Sequence, residues 1–312
     1  MIDFLDVLIK VAVLLALAIP GFVCRKIKLL GEGSVKTLSV VLLYVCTPFQ
    51  MITSFQGTPF STEILLNVLW AFLFAFVSQA LMYVILVLCF RKSKKPRSVK
   101  GAYIYACTFG NCGYMGIPFL QMLGLNEAVI YAAAFLVAFN LLSWTVGVFA
   151  MSGDRKFISV KKALLNPPTV ALLVAVPLFC LNVDLAAVCP SVYKGVTLLS
   201  DMTMPLAMMT LGVRLADLSF RQVFADGPSY LFTAVRLVLN PLLMLAMIVF
   251  LPLSPALKTA LFLISSMPSA SATLGFAERF GGDTTTAARI TLITSALSVV
   301  TIPVLSFLLA LF

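Results

Sequence analysis

The feature that most constrains this chain is a pair of interruptions in otherwise apolar segments. Residues 110–118, GNCGYMGIP, place three glycines, a proline and an amide inside a run of membrane-spanning length. Residues 267–273, MPSASAT, form a second interruption in the other half of the chain. A helix that breaks in hydrocarbon leaves backbone N–H and C=O groups unpaired, each costing several kcal/mol unless protein or water satisfies them. Paired broken helices are typical of secondary transporters, so we predict a binding site where the two interruptions meet.

The composition places the chain in a membrane. Hydrophobic residues make up 61% and charged residues 11% of its 312 residues, whereas a soluble domain carries about 25% charged residues. Apolar runs long enough to cross a bilayer recur along the chain and leave no segment for a soluble domain. The first run follows Asp3 and Asp6 rather than basic residues, so we interpret it as a span and not as a cleavable signal peptide.

Charged and turn-forming residues divide the chain into ten predicted spans. The longest connector, residues 151–163, is short, so no large domain is expected between spans. The expected fold class is therefore an all-α membrane protein of ten transmembrane helices. The predicted spans are 6–24, 33–55, 63–90, 98–123, 127–150, 164–184, 190–213, 228–251, 256–278 and 283–311.

The distribution of Lys and Arg predicts the topology. Of 22 such residues, 18 lie in or beside the loops that follow the odd-numbered spans; the loop after span 7, for example, is flanked by Arg214 and contains Arg221. Lys10, Lys194 and Lys258 lie toward the opposite side. Because basic loops stay in the cytoplasm, both termini are predicted on the non-cytoplasmic side.

The two halves of the chain align at one offset of 157 residues. This shift carries Pro48 onto Pro205 and Gly124 onto Gly281, and it superposes the two interruptions. Each half holds five spans, so the second half enters the membrane from the opposite side, and we predict an inverted repeat with crossed broken helices 4 and 9. The predicted domains are a first repeat at 1–150, a cytosolic connector at 151–163 and a second repeat at 164–312.

Helix ends at the interruptions supply the predicted site. Each interruption creates a helix N-terminus with partial positive charge and a C-terminus with partial negative charge. Crossed N-termini can hold an anion, and carbonyl ends can hold a cation. Small residues at such positions can alternatively serve only tight helix packing. The candidate substrate-binding residues here are Asn111, Gly113, Gly116, Pro118, Pro268, Ser269, Ser271 and Thr273.

Two ionisable residues are predicted to lie within the membrane. Arg236 is about eight residues into span 8, or ~12 Å deep, and Asp201 is about 11 residues into span 7, or ~16 Å deep. Such residues are functional candidates because they are costly in a bilayer. We expect Arg236 to attract an anionic substrate and Asp201 to carry a proton or tune the site. The alternative is a structural ion pair, or an Arg236 that extends toward water. Pro48 and Pro205 are expected to be helix kinks.

The sequence offers little for metal binding or catalysis. It has no histidine, and its seven cysteines form no Cys-x-x-Cys pair, so we expect no metal, no cofactor and no disulfide framework. Serines without a histidine base argue against hydrolysis, so no enzyme activity is expected. The net charge of +10 is accounted for by the basic loops, which predicts no nucleic-acid partner.

These residues resemble the auxin efflux carrier family, which includes plant PIN carriers and bacterial malate or malonate carriers. The resemblance covers essentially the whole chain and rests on NCGYMGIP at 111–118 in the fourth span, Met267-Pro268 in the ninth, and residues 295–303 in the tenth. It implies a fold like that of sodium/proton antiporters and bile-acid symporters, with spans 4 and 9 crossing at their prolines. A scaffold of spans 1, 2, 6 and 7 would face a transport domain of spans 3–5 and 8–10.

The resemblance also implies a substrate class. Asn111 and the segments around Pro118 and Pro268 would contact the substrate, and family substrates are mainly small carboxylates. The chain lacks the long hydrophilic loop of plant carriers between spans 5 and 6, so it is closer in form to bacterial carriers. We therefore predict a carrier of a small organic anion, such as malate, malonate or an auxin-like weak acid, in a bacterial inner membrane. Proton and sodium are the candidate coupling ions, and a homodimer through the scaffold is implied.

Two other functions stay open from the sequence. A cation/proton antiporter on the same scaffold would need a carboxylate beside the crossing, whereas neither interruption contains an acidic residue. A membrane sensor would bind a metabolite without moving it, but no signalling domain is expected in this chain.

Overall fold

The computed structural model describes residues 4–217 and 226–309 of the chain. Arg221, which contributes to the predicted topology, and the last two residues of the tenth predicted span lie outside these ranges. Within them the structure is helical apart from turns and one isolated β-bridge.

Twelve helices carry the architecture of the described residues. Their ends agree with the predicted segments to within four residues. The fifth helix begins as a π-turn at Cys112–Gly116 and continues as Ile117–Met122. The helices are α1 Phe4–Lys26, α2 Ser34–Thr53, α3 Thr62–Cys89, α4 Arg97–Thr108, α5 as just defined, α6 Asn126–Ser152, α7 Pro167–Cys180, α8 Pro190–Ala216, α9 Gly227–Ile248, α10 Pro255–Ser265, α11 Ala272–Phe280 and α12 Thr284–Leu309.

Eight helical stretches of the described chain are long and apolar enough to cross a membrane, and one of them, Arg155–Cys180, consists of α7 together with the short helical turns that precede it. The fourth and ninth predicted segments are instead each divided into two shorter helices, α4 with α5 and α10 with α11. Both predicted interruptions are therefore present, and the protein is an all-helical, multi-span membrane protein.

Widened turns accompany several prolines. Pro48, Pro118 and Pro241 each lie two residues after the end of a π-turn. Proline has no N–H and its ring crowds the carbonyl of the preceding turn, so a widened turn accommodates it. Pro205 follows a break of α8 at Met202. The π-turns of the described residues are Leu42–Cys46, Cys112–Gly116, Ser143–Gly147 and Val235–Leu239.

The helices pack in two groups. In one group α1 packs on α8, and α2 packs on α7 and α8. In the other α3 and α10 pack on α6, while α12 packs on α4, α9 and α11. The two groups also touch, most extensively where α1 meets α12.

Two glycines bring α1 and α8 into backbone contact. A Cβ on Gly21 would lie 2.0 Å from the carbonyl oxygen of Met209, and a Cβ on Gly212 would lie 1.8 Å from that of Ala18. Neither position has room for a side chain unless the helices separate. Small residues are what allow two helices to approach this closely in a membrane.

We predict that Gly212→Ala lowers the thermal stability of the purified protein in detergent. The added methyl overpacks the α1–α8 contact, a change that typically costs about 1–3 kcal/mol. The readout is the fraction of monodisperse protein that survives heating. Gly195→Ala in α8 is the matched control, because a Cβ there meets nothing within 4 Å. Equal melting of Gly212→Ala and wild type would contradict the prediction.

Candidate functional site

The two interruptions meet and pair with each other. Gly110 and Ser269 form an isolated antiparallel β-bridge. The Asn111 N–H donates to the Pro268 carbonyl at 2.8 Å, and the Ala270 N–H donates to the Phe109 carbonyl at 2.9 Å. A shift of 159 residues, which carries 111 to 270 and 109 to 268, exchanges these two bonds. The local register therefore differs by two residues from the offset of 157 that the sequence predicts.

Side chains reinforce this crossing. The Asn111 amide Nδ2 donates to Ser271 Oγ at 3.1 Å. Ser269 Oγ donates to the Ala106 carbonyl at 2.9 Å, and the Ser269 N–H donates to Thr294 Oγ1 of α12 at 3.2 Å. The interruption between α10 and α11 is thus tied to both α4 and α12.

Every carbonyl at the C-terminal end of α4 accepts a hydrogen bond. The Phe109 N–H donates to the Tyr105 carbonyl at 2.9 Å, and Ser269 Oγ donates to the Ala106 carbonyl at 2.9 Å. Arg236 Nη1 donates to the Cys107 and Thr108 carbonyls at 3.3 Å each. Asn240 Nδ2 donates a further hydrogen bond to the Cys107 carbonyl at 2.8 Å. Buried backbone groups need such partners, so this helix end is complete. The four carbonyls are those of Tyr105, Ala106, Cys107 and Thr108.

The same guanidinium closes the C-terminal end of α10. Arg236 Nη2 donates to the Ser265 carbonyl at 2.9 Å, and its Nε donates to the Met267 carbonyl at 2.9 Å. Arg236 is 2% exposed. A cation is stabilised at helix C-termini, where partial negative charge accumulates. Gly110 makes room for it, since a Cβ there would lie 2.1 Å from Nη2.

Helix α9 carries Arg236 to the crossing and is fixed at its N-terminal end. Asp226 caps this end by accepting from the Ser229 N–H at 3.1 Å, and it also accepts from the Tyr103 hydroxyl of α4 at 3.2 Å. The hydrogen bond from the Ser229 hydroxyl is the main cause of a lowered pKa of the Asp226 carboxyl. The cap therefore links α9 to α4, the helix whose C-terminal carbonyls accept hydrogen bonds from Arg236.

A cavity of about 280 Å³ lies beside the crossing. The first turns of α5 and α11 line it through Asn111, Cys112, Gly113, Ser271 and Ala272. The remaining wall comes mainly from α2, α6 and α8. The N-terminal ends of both half-helices therefore border one cavity, whereas Arg236 is not among the lining residues.

Cationic side chains share this wall. Two buried donor atoms in this wall have no hydrogen-bond partner within the described chain. They are Nη1 of Arg214 in α8 and Nδ2 of Asn140 in α6. Arg279 of α11 is exposed and lies over the Trp144 ring, 5.7 Å from its centroid. Lys162 lies over the same ring at 5.8 Å. No Asp or Glu of the described residues lines the cavity, so its chemistry favours an anion.

The predicted site residues other than Arg236 divide into three sets. Asn111, Gly113 and Ser271 line the cavity. Pro268 and Ser269 belong to the bridge between the interruptions. The remaining residues are packed within the helices: Pro118 and Thr273 are buried, and Gly116 lies against α10, where a Cβ would be 2.5 Å from Ile264 Cδ1.

Asp201 lies apart from the crossing. Its side chain is exposed at the end of Pro190–Asp201, the first part of α8. None of the ion pairs among the described residues joins it to Arg236, so the structural pair considered from the sequence is not formed.

Four cavity residues were missed by sequence reasoning. Arg214 and Arg279 were interpreted only as charges beside loops predicted to be cytosolic, Trp144 was interpreted as an interfacial or packing aromatic, and Asn140 was given no role. One signal was available: Asn140 and Ser143 are polar residues three apart in a mainly apolar span and so share a helix face.

Comparison with known proteins identifies the family. A family described as membrane transport proteins matches residues 6–157 and 154–306. An uncharacterized transporter from Methanocaldococcus jannaschii is 25% identical over 269 residues, which is 85% of this chain and 86% of the relative. An uncharacterized transporter from Methanothermobacter thermautotrophicus is 24% identical over 262 residues, which is 82% of this chain and 83% of the relative. The chain therefore belongs to the membrane transport protein family, the auxin efflux carrier group that its sequence resembles.

Proposed function

We propose that this membrane transporter carries a small organic anion bound at the N-terminal ends of α5 and α11. One observation carries the proposal: both half-helix N-termini and two arginines border a single cavity that no acidic residue of the described chain lines. The proposed ligands are Asn111, Gly113 and Ser271, assisted by Arg214 and Arg279.

The way in which the helix ends are hydrogen-bonded supports a negatively charged substrate. Arg236 and neighbouring donors neutralise the carbonyl ends of α4 and α10. The opposite ends, each equivalent to roughly half a positive charge, border the cavity. Arg214 Nη1, which has no hydrogen-bond partner within the described chain, adds a donor and a positive charge, on which Glu278 of α11 also acts. A carboxylate would satisfy these groups together.

The size and wall of the cavity favour a small molecule with an apolar part. About 280 Å³ is at the small end of ligand sites in proteins. Leu136, Phe139 and Phe276 supply apolar surface next to the polar groups. Malate, malonate and an auxin-like weak acid are therefore the substrates to test first.

Alternating access would follow from motion between the two helix groups. The cavity wall combines α2, α7 and α8 with α5, α6 and α11. In the proposal α1, α2, α7 and α8 form a scaffold that includes the dimer contact, and α3–α6 with α9–α12 form the moving transport domain. The fold is then ten spans in two inverted repeats. An elevator or rocking movement would carry the crossing from one side of the membrane to the other.

The cavity would face the cytoplasm in this conformation. Arg214 and Arg279 lie in the last turns of α8 and α11, next to the loops that the Lys and Arg distribution assigns to the cytoplasm. The basic loops would also concentrate anions at the entrance, an effect that salt weakens.

We predict that Asn111→Asp reduces uptake of a labelled dicarboxylate into proteoliposomes more than Asn111→Ala does. Alanine removes a polar contact to a charged substrate, worth about 1.5–3 kcal/mol, or about tenfold to over hundredfold in affinity. Aspartate keeps the shape but adds a negative charge beside the anion. Initial rates at several substrate concentrations separate affinity from turnover.

Asn126→Asp provides the matched control, because Asn126 is exposed at the start of α6, outside the cavity. Unchanged transport in both Asn111 variants would remove this residue from the site. Proton flux driven by a sodium or potassium gradient, with no response to carboxylates, would replace the proposal by a cation/proton antiporter. Binding without flux would indicate a sensor.

We also predict that substrate binding changes the fluorescence of Trp144. The chain has two tryptophans, so a Trp70→Phe background isolates the cavity residue. Arg214→Gln in this background should weaken the fluorescence titration by about tenfold or more, since a charged hydrogen bond is lost. Arg91→Gln, at an exposed position outside the cavity, should titrate like the background. Equal titration of the two arginine variants would contradict a role for Arg214.

A further inference from the structure

We propose that Arg236 is a built-in cation that occupies, within the crossing, the place where carbonyl groups would otherwise bind a mobile coupling ion. Substrate binding then requires neither sodium nor a proton at this point. The part that concerns substrate rests on the proposed function, whereas the part that concerns the cation does not.

The first step is the set of oxygens around the guanidinium. The carbonyls of Cys107, Thr108, Ser265 and Met267 all lie within 3.3 Å of its nitrogens. They come from the C-terminal ends of two half-helices, which carry partial negative charge. Unwound backbone carbonyls and half-helix C-termini are the groups that coordinate small cations in broken-helix transporters. The crossing thus forms a cation site, and a side chain fills it.

The second step is the permanence of this charge. Arg236 is 2% exposed, and no carboxylate of the described chain pairs with it. A guanidinium does not lose its proton in proteins. A buried charge without a counter-ion is strongly unfavourable unless hydrogen bonds and dipoles compensate for it. The carbonyl ends provide that compensation, so the guanidinium and the crossing stabilise each other.

The third step is the direction in which the guanidinium donates its hydrogen bonds. Nε, Nη1 and Nη2 all donate to backbone carbonyls, and the residue is not part of the cavity wall. The π-turn Val235–Leu239 carries the side chain, and Gly110 leaves space for Nη2. Arg236 is therefore a positioning residue that holds α4 and α10 together, in place of the substrate ligand predicted from the sequence.

The test is the cation dependence of thermal stability, measured on purified protein without substrate. Wild type should melt at the same temperature in sodium chloride and in choline chloride. Arg236→Ala should melt about 5 °C lower or more in choline chloride. Sodium chloride or millimolar guanidinium chloride should restore much of this loss, because either cation can enter the vacated carbonyl site.

Arg91→Ala is the matched control, since Arg91 is exposed, and it should respond to neither cation. An Arg236→Ala protein as stable as wild type in choline would overturn the proposal. A loss of stability that no cation restores would also overturn it, because it would show a packing role only. A wild type that needs sodium for its stability would overturn it as well.

A second pair of variants covers the case in which Arg236→Ala does not fold. Gly110→Ala places a Cβ 2.1 Å from Nη2 and should displace the guanidinium while keeping the arginine. Its melting temperature should fall and become sensitive to sodium, whereas Gly195→Ala should do neither. A Gly110→Ala protein that melts like wild type, or whose loss no cation restores, would count against the proposal.

The substrate arm uses the Trp144 titration in sodium and in choline. Equal affinities in the wild-type cavity are expected, and a titration that requires sodium would overturn the inference about coupling. Because the stability measurements contain no substrate, their outcome is independent of whether the cavity binds a carboxylate. Failure of this proposal and failure of the anion proposal are thus distinguishable.

Discussion

A helix interrupted inside a bilayer must find partners for the backbone groups that the interruption frees, and this requirement shapes the crossing. The protein meets it asymmetrically. Carbonyl groups at the ends of α4 and α10 are satisfied by Arg236, Asn240, Ser269 and neighbouring backbone N–H groups. The amide ends of α5 and α11 are placed at the cavity wall instead. The proposed preference for an anion therefore follows from which helix ends the protein completes with its own side chains.

Packing around the crossing combines a close contact between two helices with a cavity that both helix groups border. Gly21 and Gly212 bring the backbones of α1 and α8 together, so these two helices behave as a unit. The cavity lies between helices of the two packing groups and is bordered by both. Arg236 and all four of its carbonyl partners belong to a single group, so the proposed motion between the groups would leave the bonds that hold the crossing intact.

Sequence reasoning succeeded where the determining signal is local. Helix ends follow from hydropathy and turn residues, and the interruptions follow from glycine and proline at 110–118 and 267–273. It located Arg236 in the membrane but not its partners, because backbone carbonyls have no signature in a sequence. Arg214 and Asn140 were missed because their convergence depends on how α6 and α8 pack. The assignment of Asn111 and Ser271 to the substrate stays a prediction, although both line the cavity.

The π-turns affect how residues of this chain are assigned to the faces of its helices. A residue advances about 100° around an α-helix, and a π-turn holds more residues than an α-turn. A helical wheel drawn through α2, α5, α6 or α9 therefore assigns the wrong faces to everything beyond its π-turn. Cysteine-accessibility scans and lipid-facing labels on these helices need separate angular phases for the parts before and after the turn. The residues of Val148–Ser152, which follow the π-turn Ser143–Gly147, therefore face different neighbours from those that a continuous wheel assigns to them.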